Sequence, residues 1–182
     1  MKGALVFILT FGISLTAYSQ YGECVESWSK FELFSVPIYF DYKTFTAIEE
    51  SQSDFKDGVI LVVHTEEPVK YDHSIAGISL NLINYSDSLI EMKVSIIDFV
   101  LVCQALDNDG KWKNIEKPLK GSLGFDQLHY FDFSLPRGEY IKMKAPCYSG
   151  PTKVKMRYIF DFNGQTIISN EFGGNINVEQ FN

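Results

Sequence analysis

The sequence predicts an all-β protein, an antiparallel immunoglobulin-like β-sandwich that follows an irregular N-terminal segment. From residue 58 onward apolar and polar residues alternate with period two, in seven or more short runs separated by turn residues. This alternation places side chains on opposite faces of half-buried strands, and many short strands joined by turns are typical of sandwiches. We therefore divide the chain into residues 1–19, an extension over 20–57 and a β-sandwich domain over 58–182.

Residues 1–19 have the order of a cleavable secretory signal peptide. Lys2 precedes an uncharged apolar run, and Ala17-Tyr18-Ser19 places small residues at positions −3 and −1 of a cleavage site before Gln20. The run is too short for a membrane anchor, which needs about 20 apolar residues. We expect export to the periplasm or the cell exterior, with no stable membrane insertion after cleavage.

The extension over 20–57 is less regular than the rest of the chain. Apolar residues between Phe31 and Phe40 predict one or two strands, and Pro37 places such a strand at a sheet edge. Thr46 and Glu49 match a capping box, which predicts a short helix through Ser53.

The first part of the sandwich domain predicts a hairpin. Alternating residues in 78–82 and 90–96 flank the turn residues 84–88. The turn contains Asn84-Tyr85-Ser86, an acceptor pattern for N-glycosylation, which indicates an exposed position. The run 99–106 is apolar on both faces and predicts a central strand or one that crosses between sheets.

Three turns organise the second part. Asp107-Asn108-Asp109-Gly110 closes the central strand, Leu135-Pro136-Arg137-Gly138 is a tight turn, and Asn163-Gly164 is a strong two-residue hairpin pattern. Lys and Arg residues in 153–157 alternate with apolar ones and predict the wet face of a strand.

Charge and cysteines restrict the partners and the compartment. The formal net charge is −7, which argues against nucleic acid or an anionic membrane as partner and leaves an unknown protein or carbohydrate. Cys103 lies in an apolar run and is interpreted as a buried free thiol. Cys24 and Cys147 are then the candidate disulfide, while a catalytic role for Cys147 stays open as the alternative.

Two groups of acidic residues raise the question of metal binding. His64, Glu66, Glu67, Asp72 and His73 lie where a strand gives way to a charged loop, but no two of them have a recognised ligand spacing. Asp107, Asp109 and Glu116 match positions of a twelve-residue calcium loop over residues 105–116. The first position of that loop is Ala105, which has no side-chain oxygen, and strand patterns surround the loop. We expect no metal and no cofactor.

Two tryptophans are candidates for ligand contact. Trp112 lies between lysines just after a turn, and Trp28 lies in the irregular extension, so both rings are expected to be partly exposed. Exposed rings stack on sugars or peptides, although aromatic residues also fill sandwich cores.

Recognised catalytic motifs are absent from the sequence, so whether the protein is an enzyme is left open and a non-catalytic binding module is the first hypothesis. Two alternatives remain. One is a secreted hydrolase using carboxylates or the His64 and His73 region. The other is a protease inhibitor that makes contact through Leu135 to Glu139.

Several segments from about Ile75 to Phe181 carry a resemblance: Ala105-Leu106-Asp107, Gly110-Lys111-Trp112, Ile115-Glu116, Leu135-Pro136-Arg137-Gly138-Glu139-Tyr140, Ala145-Pro146, Tyr148-Ser149-Gly150, Ser169-Asn170-Glu171-Phe172 and Gln180-Phe181. Through them this part of the chain resembles an uncharacterised exported domain of Bacteroidota-type bacteria. The resemblance implies the immunoglobulin-like fold and an exported location, and it implies no functional residues.

Overall fold

The computed structural model describes residues 21–26, 46–47, 58–71, 74–95, 101–116, 130–162 and 165–181. These ranges contain strands β1 Thr46–Ala47, β2 Val59–Lys70, β3 Ala76–Asn84, β4 Ile90–Ser95, β5 Leu101–Leu106, β6 Trp112–Asn114, β7 Tyr130–Leu135, β8 Glu139–Pro146, β9 Thr152–Phe162, β10 Gln165–Ile168 and β11 Phe172–Ile176, followed by a 3-10 helix over Val178–Phe181. The all-β prediction is confirmed.

The described strands form three antiparallel sheets. A four-stranded sheet has the order β1-β8-β3-β2, and β4 pairs with β7 in a two-stranded sheet. A five-stranded sheet has the order β10-β9-β5-β6, with β11 following β10 along the same side of the long strand β9.

Both larger sheets contribute to one hydrophobic core, because one face of each strand is apolar. Leu80 and Leu82 of β3 and Met143 of β8 are buried in the same cluster as Tyr158 and Phe160 of β9. The polar residues between them mostly face outward, and Lys153 and Lys155 are exposed as predicted for the wet face of β9. Burial of a large apolar side chain contributes about 1.5–3 kcal/mol, so this shared core is the main stabilising feature.

Two of the predicted turns join neighbouring strands. Asp107 to Gly110 connects the paired strands β5 and β6, and Gly110 has a φ of 75°, a conformation that favours glycine. Gln165 pairs with Phe162 across residues 163–164, as expected for a two-residue hairpin. The tight turn at Leu135 to Gly138 instead connects β7 of the two-stranded sheet to β8 of the four-stranded sheet.

The predicted hairpin between β3 and β4 is wrong. β3 pairs with β2 and β8, whereas β4 pairs with β7. Asn84, the last residue of β3, explains the difference, because its side chain and backbone fix a crossing between sheets. Its Nδ2 donates to the carbonyls of Ser88 and Leu135, each at 2.9 Å, and its carbonyl accepts from Gly138 N at 2.8 Å.

The position of Asn84 also shows that the prediction of an exposed glycosylation acceptor at this residue is wrong. Its side chain is fully buried, and both hydrogens of its amide nitrogen are used in the bonds to Ser88 and Leu135. A glycan is attached through that nitrogen, so Asn84 is not an acceptor in the folded protein. Within the predicted turn, Tyr85 and Ser86 are half-buried, whereas Asp87 and Ser88 are exposed as expected.

The N-terminal extension is attached to the four-stranded sheet. Glu23 forms a parallel bridge to Ile75, and Val25 forms one to Tyr148, so residues 21–26 run between the ends of β3 and β8. Thr46–Ala47 is a strand that pairs with β8, at the position where the sequence predicts the start of a helix. The rest of that helix through Ser53 and the predicted strands in 31–40 lie outside the described residues.

A side chain also links the two larger sheets. Asn170, between β10 and β11, accepts a hydrogen bond from Val63 N at 2.7 Å and donates Nδ2 to Val63 O at 3.2 Å. Val63 lies in β2, at the edge of the four-stranded sheet. The Asn170 amide thus bonds both backbone groups of one edge-strand residue.

Candidate functional site

The outer face of the five-stranded sheet carries Trp112. Cys103 and Ala105 of β5 point into the core, so Gln104 and Leu106 lie on the opposite face. Trp112 pairs with Leu106 in the sheet register and therefore lies on that outer face too. The ring is half-buried, in agreement with its predicted partial exposure.

A cation lies on the Trp112 ring. The central guanidinium carbon of Arg157, in β9, lies 4.2 Å from the centroid of the indole. This is the geometry of a cation–π contact, which contributes about 0.5–1 kcal/mol at exposed sites. Arg157 reaches the ring from two strands away, because β5 lies between β9 and β6.

Amide side chains extend this contact into a network. Arg157 Nε donates to Gln104 Oε1 at 3.0 Å, and Gln104 Nε2 donates to Asn114 Oδ1 at 2.9 Å. The three residues lie side by side, since Gln104 pairs with both Arg157 and Asn114 in the register. We call Trp112, Gln104, Asn114 and Arg157 the tryptophan face.

The tryptophan face has both apolar and charged surroundings. Val102, Leu106 and Ile159 are half-buried on the same side of the sheet, and Ile168 is 49% exposed. On the same side, Lys155 forms an ion pair with Glu171 at 3.1 Å. Lys113, whose register partner Ala105 points into the core, lies on the opposite side and pairs with Asp107 at 3.0 Å. The face therefore combines an aromatic ring, planar amides, aliphatic surface and cations.

The second tryptophan candidate, Trp28, lies outside the described residues. Sequence reasoning missed Arg157, Gln104 and Asn114. The alternation in 153–157 already places Arg157 on the outer face, but its contact with Trp112 depends on the register of three strands, which the sequence does not display.

The three cysteines form one disulfide and one free thiol. The structure joins Cys24 and Cys147 in a disulfide, and Cys103 is a buried free thiol. Burial raises the pKa of Cys103 well above its usual value, with a further contribution from the nearby Glu116 carboxylate. The thiolate is the nucleophilic form of cysteine, so this environment suppresses the reactivity of Cys103.

A buried carboxyl group lies beside the thiol. Glu116 Oε2 accepts a hydrogen bond from Cys103 N at 2.9 Å, and Tyr148 donates its hydroxyl to Glu116 Oε1. Desolvation by burial raises the pKa of Glu116 from 4.5 to about 7, although both hydrogen bonds act in the opposite direction. Glu116 therefore faces the core, away from the Asp107 turn with which it would form a calcium loop.

This carboxyl predicts a pH dependence of stability. Between pH 4.5 and 7 the folded protein keeps the Glu116 proton while the unfolded chain loses it. The contribution of Glu116 to the free energy of unfolding therefore falls as pH rises. The full loss above pH 7 is about 3 kcal/mol. We expect Glu116→Gln, which can accept from Cys103 N and donate to Tyr148, to abolish this slope. Urea unfolding of both proteins at several pH values measures it.

The control is Glu171→Gln, which removes an exposed acid paired with Lys155. The pH dependence of its unfolding free energy between pH 4.5 and 7 should match that of wild type, because Glu116 is still present. A constant difference between wild type and Glu116→Gln over this range would show that Glu116 does not titrate as stated.

His64 and its neighbours lie in β2, at a point where the pairing with β3 is irregular. The register with β3 shifts between His64 and Pro68. His64 Nδ1 lies 3.5 Å from Glu66 Oε1, and His64 Nε2 lies 3.0 Å from Asn81 Nδ2, while Glu67 pairs with Lys142 at 3.7 Å. A backbone hydrogen bond lowers the pKa of Glu66, with a smaller contribution from His64.

The other residues of this predicted cluster, Asp72 and His73, lie outside the described residues. Among the described ranges, no group of three or more His, Cys, Asp or Glu side chains is placed to hold a metal ion.

In the Leu135 to Glu139 turn, which the sequence offers as a protease contact, Leu135 is buried and Arg137 is exposed in an ion pair with Asp87 at 2.8 Å.

No protein-family model matches this chain, and no similar curated protein or solved structure was found. Within the described ranges no helix is long and apolar enough to cross a membrane. The fold and the site thus define an all-β protein with an aromatic and polar outer sheet face.

Proposed function

We propose that the protein is an exported, non-catalytic binding module with an immunoglobulin-like β-sandwich fold, and that its ligand lies on the tryptophan face. The observation that supports the binding role is the network in which Trp112, Arg157, Gln104 and Asn114 are held together on an outer sheet surface.

Two features support the fold and the location. Two antiparallel sheets that share one core are the arrangement of a β-sandwich. The disulfide between Cys24 and Cys147 is of a kind that persists in oxidising compartments, in keeping with a signal peptide over residues 1–19. The resemblance to exported Bacteroidota-type domains agrees with both proposals.

The composition of the tryptophan face favours binding over a purely structural role. Amide side chains both donate and accept hydrogen bonds, and a half-buried indole offers a large apolar surface at a small entropic cost. Because Gln104 and Asn114 already fix one another, little conformational freedom is lost on ligand binding.

The test uses protein recovered from the exported fraction of the native host. The first residue of this protein should be Gln20. This protein is applied to arrays of glycans and peptides beside the Trp112→Ala variant. We expect a ligand that wild type retains and that Trp112→Ala binds about tenfold more weakly or worse, as for a central aromatic contact.

Val178→Ala is the matched control, because Val178 is 56% exposed on the 3-10 helix and lies outside the tryptophan face. Its binding should equal that of wild type. The proposal fails if Trp112→Ala binds every ligand as tightly as wild type does. It also fails if the protein has a hydrolytic activity that a point substitution abolishes.

A further inference from the structure

We propose that the ligand of the tryptophan face is an acidic polysaccharide, and that Arg157 binds the carboxylate of a sugar unit through its two terminal nitrogens. This inference rests on the proposed function and specifies the ligand class of the same site. It follows from how Arg157 is held, from its charge partners and from the side chains around it.

Arg157 is fixed on two sides before any ligand arrives. Its guanidinium lies over the indole of Trp112, and its Nε donates to Gln104, which is itself held by Asn114. Neither terminal nitrogen has a hydrogen-bond partner in the described part of the chain. A planar guanidinium with two free terminal nitrogens matches the two oxygens of a carboxylate.

The charges on this side of the sheet are unequally satisfied. Lys155 is paired with Glu171, whereas Arg157 and the exposed Lys153 have no acidic partner within the described ranges. An anionic ligand would complement these two cations. The net charge of −7 opposes it weakly, because acids more than about 8 Å away are screened at physiological ionic strength.

The neighbouring side chains favour a sugar over an acidic peptide. The groups that form the site are side chains on the face of the sheet, whereas a peptide added at the edge strand β6 would bind its backbone groups. Gln104 and Asn114 offer donors and acceptors together, as vicinal hydroxyls require. Trp112 and its register partner Leu106 provide apolar surface for the C–H face of a pyranose ring.

The experiment is affinity electrophoresis of the same exported protein, after purification, in gels containing polygalacturonate or alginate. Each polymer is compared with its esterified form, which keeps the sugar backbone and removes the carboxylate charge. We expect retardation by at least one acidic polymer, and about tenfold weaker binding to its ester, because one charge-assisted pair of hydrogen bonds is lost.

The decisive variant is Arg157→Lys, which keeps the positive charge and removes the planar fork. We expect it to bind the acidic polymer about tenfold more weakly. The matched control is Arg137→Lys, the same substitution at an exposed arginine in the turn between β7 and β8, and it should bind as wild type does. Thermal unfolding of both variants shows whether each is folded at the assay temperature.

The inference is overturned by equal binding to the acid and ester forms, by unchanged binding of Arg157→Lys, or by a lack of binding to both acidic polymers. Equal or tighter binding to poly-L-glutamate would also overturn it and would make the partner an acidic protein. If a neutral ligand still depends on Trp112, this inference fails while the proposed function stands.

Discussion

Replacing both Cys24 and Cys147 by serine is expected to lower the free energy of unfolding by about 4–5 kcal/mol. The two cysteines are 123 residues apart in sequence, and a crosslink over such a distance removes much of the chain entropy of the unfolded state. The loss is comparable to the whole stability of a small domain. Urea unfolding followed by tryptophan fluorescence measures it for wild type and the double variant.

Reduction of the wild type provides the control. A phosphine reductant should lower wild-type stability to that of the double variant and should leave the variant unchanged. Thiol titration tests the pairing itself, since the buried Cys103 should react only after unfolding, as one thiol per chain. A loss below about 1 kcal/mol would contradict the loop-entropy argument.

Asn84→Ala is expected to lower the free energy of unfolding by about 3–4 kcal/mol. The side chain is fully buried, and Nδ2 donates to Ser88 and Leu135 while Oδ1 accepts from Ser86 N. Its removal leaves several groups without partners, and each buried unpaired group costs about 1–3 kcal/mol. Thermal or urea unfolding measures the loss.

Asn81→Ala is the matched control on the same strand, because Asn81 is only half-buried and bonds His64. We expect a loss of about 1 kcal/mol or less. Asn84→Asp separates hydrogen bonding from packing, since it keeps the shape but turns an oxygen toward two carbonyls. If Asn84→Asp were as stable as wild type, the hydrogen-bond explanation would be wrong.

Local patterns predicted the strands but only some of their partners. Alternation in β3, β8 and β9 reflects which face meets the core, and this information lies within each strand. The Asp107 to Gly110 turn was predictable for the same reason, because its residues bond to one another. The β3 to β4 connection was not, because Asn84 is held by Leu135 and Gly138, about fifty residues later.

The candidate site shows the same division. The position of Trp112 after a turn indicates an exposed ring, and this is a local property. Its contact with Arg157 arises because two strands pair with β5 in a particular register. Glu116 gives no local signal at all, because its burial depends on Tyr148 and Cys103 from distant parts of the chain.

The bond between Asn170 and Val63 has a consequence for behaviour at high concentration. An edge strand with free backbone groups can pair with another molecule, and sheets then grow into aggregates. Asn170 occupies both outward backbone groups of Val63, near the middle of β2. A strand from a second molecule would have to displace this amide before it could extend along β2, so one asparagine opposes intermolecular sheet growth at this edge.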